Sequence, residues 1–373
     1  MGGRASLLPD TWRAVTRATR ALARLDQASS QVPSPHLLRR PSLRREAQST
    51  SALEGTFAPL EQVLAADATD ATPSKELAEV LNYIDAANLA FDFVAERGIV
   101  TTGLLDEVHR VLVRGTDSET HDAGRVRTTL VAIGSPTGSV EDSRFVPMPP
   151  GTELNVAVRD WVDWIGADRA SQREPMIAAA MAHYQFETLH PFNDGNGRIG
   201  RLAIVLQFML DGLLREPLLT VSPWFEARRS EYQDRLAAVS ATGDWDGWIQ
   251  FFAAGIESAS IDTASRVDRL IAVQAAYVQI VQNHSGRGLV RDIVDSLIGD
   301  PVVTVPLLTR RFGKTAAATG TAVSRLVEWG VLTPPIGTYN RQYRALDVLR
   351  AISAPVGSIP ERSAALELPV ADA

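Results

Sequence analysis

The chain has 373 residues, enough for two or three domains of ordinary size. Its 45% hydrophobic content suits a globular protein with a real core, and a net charge of −7 excludes a chain-wide polycation built for nucleic acid. It has no cysteine, which excludes disulfides, thiol nucleophiles and cysteine-ligated zinc and fits a reducing cytoplasm as its location; no apolar run nears the roughly 18 residues of a membrane span, so no membrane partner is expected.

The first predicted helix runs from about Thr11 to Ala28, with Trp12, Val15, Ala18, Leu22 and Leu25 as its apolar stripe. Pro33 and Pro35 break it. A second helical segment follows through Leu37, Leu38, Leu43 and Ala47 towards Leu53 and stops at Gly55. Glu54 stands in an unfavourable place there, because a negative charge near a helix C-terminus opposes the dipole, and a partner elsewhere would explain it. Residues 56–75 read as an Ala, Thr, Asp and Pro-rich linker. Lys75 to about Ala95 and Leu104 to Val113 read as helices. The stretch 124–134 is β-branched and partly alternating, and Arg144 to Met148 follows a Gly/Ser/Pro/Asp turn, so the two form an isolated hairpin in a helical protein.

Asn155–Ile165 and Pro175–Leu189 are helices leading into the densest cluster of chemistry in the chain. It reads His190-Pro191-Phe192-Asn193-Asp194-Gly195-Asn196-Gly197-Arg198-Ile199-Gly200-Arg201. Helical periodicity enters it from Ile177, Ala180, Met181 and Tyr184 and leaves it through Leu202, Leu206 and Met209. The stretch is therefore a tight loop that ends on a helix N-terminus, where unpaired N–H groups and a partial positive charge suit an anion. Gly195 and Gly197 hold no side chain against a phosphate, and Arg198 and Arg201 share one helix face as planar donor forks. Asp194 can hold Mg²⁺ across phosphates, His190 can act as a general base, and Phe192 is an anchor that fixes both. Read from the residues alone, this is a nucleotide-phosphate site with a base beside it.

Further on, Trp224 to Tyr232 is helical, and Gly243-Asp244-Trp245 opens a last core helix. A helical connector spans about 261–283. Residues 285–350 form a separate module with short helices at Thr304–Phe312 and Thr319–Trp329, then a turn to Gln342–Leu346. That order resembles a winged helix-turn-helix. From 304 to 350 there are seven basic residues against Glu328 and Asp347, yet Arg325 is the sole basic residue on the presumed recognition helix, so DNA is a partner weighed but not favoured. Residues 351–373 read as a disordered tail.

The twelve residues 190–201 match, at every specified position, the signature of the Fic family, His-Pro-Phe-x-(Asp/Glu)-Gly-Asn-Gly-Arg-x-x-Arg. The resemblance covers roughly residues 10–350 and implies an all-α fold: a Fic-type helical core at 76–260 with a small β-hairpin flap, preceded by an N-terminal helical segment at 1–75 and followed by the winged-helix module. It implies an autoinhibited protein adenylyltransferase that moves AMP from Mg-ATP to a Ser, Thr or Tyr hydroxyl. ATP would be held by Gly195, Asn196, Gly197, Arg198, Ile199, Gly200 and Arg201. Many members carry an inhibitory helix with (Ser/Thr)-x-x-x-Glu-(Gly/Asn), matched here by Thr50, Glu54 and Gly55, and in such members the glutamate is expected on the first signature arginine, here Arg198. Family members keep Asn-Arg-x-Glu-Tyr-Tyr followed by Gly-Asp-Trp; this chain keeps Arg229, Glu231, Tyr232, Gly243, Asp244 and Trp245 but has Arg228 and Gln233 at the other positions. Tyr232 and Trp245 are thus the expected adenine contacts.

The resemblance further implies a target protein docked on the flap by strand addition, and a C-terminal module that serves docking or a homodimer. Two alternatives remain beside transfer. One is removal of AMP with Glu54 activating water. The other is a DNA-binding regulator that uses the core as a nucleotide sensor, against which an intact His190 speaks. The phosphorylating branch places Lys where Gly197 stands.

Overall fold

The computed structural model describes residues 7–30, 35–69, 71–134, 137, 141–166, 174–337 and 341–355. The central element is helix α8 (Asn196–Leu210), buried on every side from Asn196 to Phe208. A helix apolar all round belongs in the middle of a core. The two cations it carries there, Arg198 and Arg201, must be paired to be tolerated. Its neighbours are α7 (Pro175–Leu189), which feeds the 190–195 loop, and α4 (Lys75–Arg97) with its partner α5 (Thr102–Val113). Helix α6 (Thr152–Gly166) packs on α7, where the indole N–H of Trp161 donates to the carbonyl of Ala182 at 2.9 Å.

Helix α1 (Pro9–Ser29) lies parallel to the first half of α11 (Trp245–Asn283), burying Val15, Ala18, Leu22 and Leu25. Thr11 meets Asp246 near the start of both helices, and Arg17 meets Glu257 at 3.1 Å further along both. The expected core helix and connector are thus one 39-residue helix. Helix α2 (Pro35–Leu53) packs against α4, α8 and the short α9 (Ser222–Glu226). The expected linker after it is also partly helical: α3 (Leu60–Ala65) and a 3₁₀ turn at Ala66–Ala68 bury Val63, Leu64 and Ala68. Helix α10 (Arg229–Thr242) runs between α9 and α11.

The flap region between α5 and α6 closes by a single antiparallel bridge among the described residues, Ile133 with Phe145, joined by N–H to O contacts of 2.9 and 3.2 Å. The two-stranded sheet lies at the other end of the chain. There α12 (Leu289–Ser296), β1 (Val302–Thr304), α13 (Val305–Phe312), α14 (Ala316–Glu328), β2 (Gln342–Arg344) and α15 (Leu346–Ser353) follow one another, with Val303 opposite Tyr343. Of the expected disordered tail at 351–373, the first three residues are instead the last turn of α15, with Ala351 and Ile352 buried against the core, and the part beyond Pro355 lies outside the described residues.

These last elements share a continuous apolar core with the rest, and buried ions bind them to α2. Asp300, 3% exposed, faces Arg40 at 2.8 Å, Arg44 at 3.3 Å and Arg311 at 2.8 Å. Arg45 and Arg266 together cap the final carbonyls of α15, at Ile352 and Ala354. Removing one partner of such a buried network strands the other's charge. Asp300→Ala is therefore expected to cost about 3 kcal/mol in urea unfolding, whereas Asp67→Ala, on the half-exposed edge of the same cluster, costs less.

Candidate active site

Helix α7 ends at His190, which adopts a left-handed conformation with φ of 49°. A non-glycine residue there costs of order 1–3 kcal/mol and persists only where its surroundings enforce it. The enforcement is visible: its N–H donates to Phe186 at 2.8 Å and its carbonyl accepts from Arg127 Nε at 2.8 Å. Phe192 is fully buried and stacks on His109 with ring centroids 4.1 Å apart. Asn196 closes the loop on itself, accepting from the Phe192 N–H at 2.8 Å and donating to the Phe192 carbonyl at 2.7 Å. Gly195, at φ 77°, turns the chain into α8, and a side chain there would drive into Leu112.

His109 is a site residue that sequence reasoning missed. Its Nδ1 accepts from the Gly124 N–H at 2.8 Å, which leaves Nε2 to donate to the Asp194 carbonyl at 3.2 Å. Burial pushes its pKa down to about 4. Asp194 is held below the usual carboxylate range by Arg198 at 3.0 Å and the Ser118 hydroxyl at 2.6 Å, against the opposing pull of burial. His190 is also pushed down to about 4, chiefly by burial, so its imidazole is neutral and able to take a proton.

The structure corrects the expected pairing of Glu54. Its carboxylate does not meet Arg198; it meets Arg201, at 2.6 Å. The Thr50 hydroxyl and carbonyl take two more donors of the same guanidinium, at 2.8 and 3.1 Å. The reason is rotation about α8. Arg198 lies towards α4 and the loop, so its partners are Asp194 and, at 3.5 Å, Glu79. Arg201, three residues later, meets the C-terminus of α2. That terminus is a Schellman motif: Thr56 N–H to Ser51 and Gly55 N–H to Ala52, both 3.0 Å, with Gly55 at φ 96°. Glu54 is its cap residue, and Arg201 offsets the dipole penalty. Gly197 makes room for this contact, since a Cβ there would collide with Glu54 Oε1.

Beside Arg201 opens a cavity of about 310 Å³. Its floor is Gly197, Arg201 and His190; one wall is Tyr184, Glu187 and Thr188 of α7, another Arg229, Tyr232 and Gln233 of α10. The flap residues Ile133, Gly134, Arg144 and Phe145 cover it, and Leu53 and Glu54 reach in from α2. Arg144 bridges flap to α10 through Gln233 at 3.1 Å and Asp234. Tyr232 lines the cavity, but its hydroxyl is engaged by His183 at 2.7 Å. Trp245 stands behind the wall, edge-on to Tyr184 at 5.0 Å. Arg228 turns away and lies 4.4 Å over the Trp224 ring. Glu187 is partly buried, with Oε1 making no hydrogen bond and 3.9 Å from His183 Nε2, and desolvation raises its pKa to about 7. Among the described residues no group of three acidic or histidine side chains could hold a metal by itself. Asp194, ionised and half-exposed, nevertheless fits an ion that arrives on phosphates, which needs one or two protein carboxylates.

The imidazole of His109 supplies a pH test. Its folded pKa lies below its unfolded value, so its contribution to stability is present above about 6.5 and is lost as pH falls towards about 4. The stability difference between the native chain and His109→Gln should therefore be largest above pH 6.5 and shrink on acidification, read by urea unfolding at each pH.

Two family models match the chain: the Fic/DOC family N-terminal model over residues 12–92 and the Fic/DOC family model over residues 99–208. Together they take in just over half of it. The protein adenylyltransferase fic-1 of Caenorhabditis elegans is 37% identical over 106 residues, 28% of this chain and 18% of that protein. The protein adenylyltransferase Fic of Culex quinquefasciatus is 28% identical over 208 residues, 55% of this chain and 37% of that one. The matched stretch thus spans well under half the length of these curated relatives. In structure, a Fic family protein from Desulfovibrio desulfuricans aligns over 92% of this chain and 98% of its own, with a TM-score of 0.58 at 23% identity. That likeness is one of fold.

Proposed function

The chain belongs to the Fic/DOC family, and from that premise we propose that it is an autoinhibited protein adenylyltransferase, moving AMP from Mg-ATP to a protein hydroxyl. The observation that carries this reading is Arg201: a buried cation in the second turn of α8, beside a nucleotide-sized cavity, whose present anionic partner is a carboxylate from another element.

His190 Nε2 accepts the proton of the target hydroxyl as its oxygen attacks the α-phosphorus. The bond from the α-phosphorus to the bridging oxygen breaks, and pyrophosphate leaves. Asp194 would hold the magnesium that comes with the phosphates, and the ion would neutralise part of their charge. The N–H groups from Gly195 to Gly197 and the forks of Arg198 and Arg201 face charge that grows on phosphate oxygens, the preorganised term that dominates such transfers. The base of ATP takes the cavity between Tyr184 and Tyr232, and the target peptide lies along the flap. Glu54 holds the site off by occupying Arg201 and the space above Gly197 that a phosphate needs.

The element order of residues 289–344 supports a winged helix-turn-helix, with α14 in the recognition position and the Ile336–Gln342 bridge at the wing. We propose it as a docking module.

With ATP labelled at the α-phosphate, Glu54→Gly should label itself or lysate proteins well above the native chain. Adding His190→Ala should lower that labelling by roughly 10²–10⁴. No α-label from Glu54→Gly would contradict the transferase reading.

A further inference from the structure

Arg127 is 1% exposed, yet among the described residues it has no carboxylate partner. Its guanidinium donates instead to carbonyls from two separate segments. Nε reaches His190 at 2.8 Å and one terminal nitrogen reaches Leu189 at 3.4 Å, both in the catalytic turn. The same nitrogen also donates to the Met148 carbonyl, and the other terminal nitrogen reaches Thr129 at 2.8 Å; both acceptors lie in the flap. The backbone N–H of Arg127 adds a bond to the Pro191 carbonyl at 2.8 Å. Thr129 and Met148 reinforce the same seam, through Asn193 at 2.8 Å and Thr188 at 3.4 Å.

A buried guanidinium is expensive, and an ordinary brace between two chain segments needs only neutral groups. A planar fork of five donors can instead fix four carbonyls in one mutual geometry. One of those carbonyls belongs to the residue that acts as base, in a strained left-handed conformation. Two others mark the two sides of the flap. We propose that Arg127 is the positioning residue that locks the flap and His190 into a single unit, so that a hydroxyl presented by the flap arrives in line with the base.

This inference rests on the transferase reading. It makes a specific demand: Arg127 touches the nucleotide cavity only through the flap and the catalytic turn, so its loss must harm transfer far more than ATP binding, whose phosphate contacts at Gly197 and Arg201 it leaves in place. Misplacing a reacting group by about 1 Å can cost on the order of 100-fold in rate. Lysine keeps the charge but, as a compact point donor, cannot span both segments.

The test compares Arg127→Gln, Arg127→Lys and the exposed control Arg125→Gln, each in a Glu54→Gly parent. Calorimetric ATP titration, AMP transfer and hydrogen exchange are read on every protein. The expected result for both Arg127 variants is ATP affinity within threefold of the parent. Their kcat should fall about 100-fold for Gln and less for Lys, and protection should be lost together at 129–134, 145–148 and 188–193. Arg125→Gln should match the parent. Unchanged kcat, full recovery with Lys, exchange confined to one segment, or failure of both Arg127 variants to fold would overturn the proposal. An inactive parent would instead sink the transferase reading, while hydrogen exchange still reads the clamp.

Discussion

Arg201 carries a positive charge at 2% exposure in the middle of the most buried helix of the protein. A charge so placed must keep an anion or several strong acceptors close, or the helix that bears it loses several kcal/mol. In the present state Glu54 and Thr50 meet that demand, and burial, which alone would lower the pKa of Arg201, is outweighed by Glu54 and its neighbours. The arrangement of α2 follows from this constraint. The helix must end where Glu54 can cap it and face Arg201 at once, and Gly55 and Gly197 supply the two clearances.

Helix α2 is held along its length by contacts of the same kind. Glu46, fully buried and raised to about 7 by burial, accepts from the N–H and hydroxyl of Ser222 at the start of α9. Arg44 and Arg45 tie the helix to Asp300 and to the end of α15. The element that carries Glu54 is therefore joined both to the core and to the C-terminal elements. The Glu54–Arg201 contact is thus mechanically continuous with a region about 100 residues beyond Arg201 in sequence.

The loop at 190–201 was legible because its logic is local: each turn, cap and basic residue falls within one loop and one helix start. The unfavourable position of Glu54 was legible too, since a cap position follows from Gly55 alone. Its partner was not. Arg198 and Arg201 lie on the same side of a helical wheel, and only the path of α2 past α8 decides between them. His109 and Arg127 left no local signal, because their partners are backbone carbonyls and amides brought near by folding. The flap's alternating residues pointed to a longer ladder than the one bridge that forms among the described residues; there the carbonyls of Thr129 and Met148 are taken by Arg127 instead. Trp245 was drawn to the nucleotide by its place in a motif, whereas packing puts Tyr184 in front of it.

On the reading proposed above, Glu54 and a nucleotide phosphate compete for Arg201. A double-mutant cycle on ATP affinity tests it most directly, with the native chain, Glu54→Gly, Arg201→Ala and the double variant titrated calorimetrically. Competition requires Glu54→Gly to tighten ATP binding about tenfold, or ~1.4 kcal/mol, when Arg201 is present and hardly at all when it is absent. Equal tightening in both backgrounds would contradict it, because Glu54 would then act without Arg201.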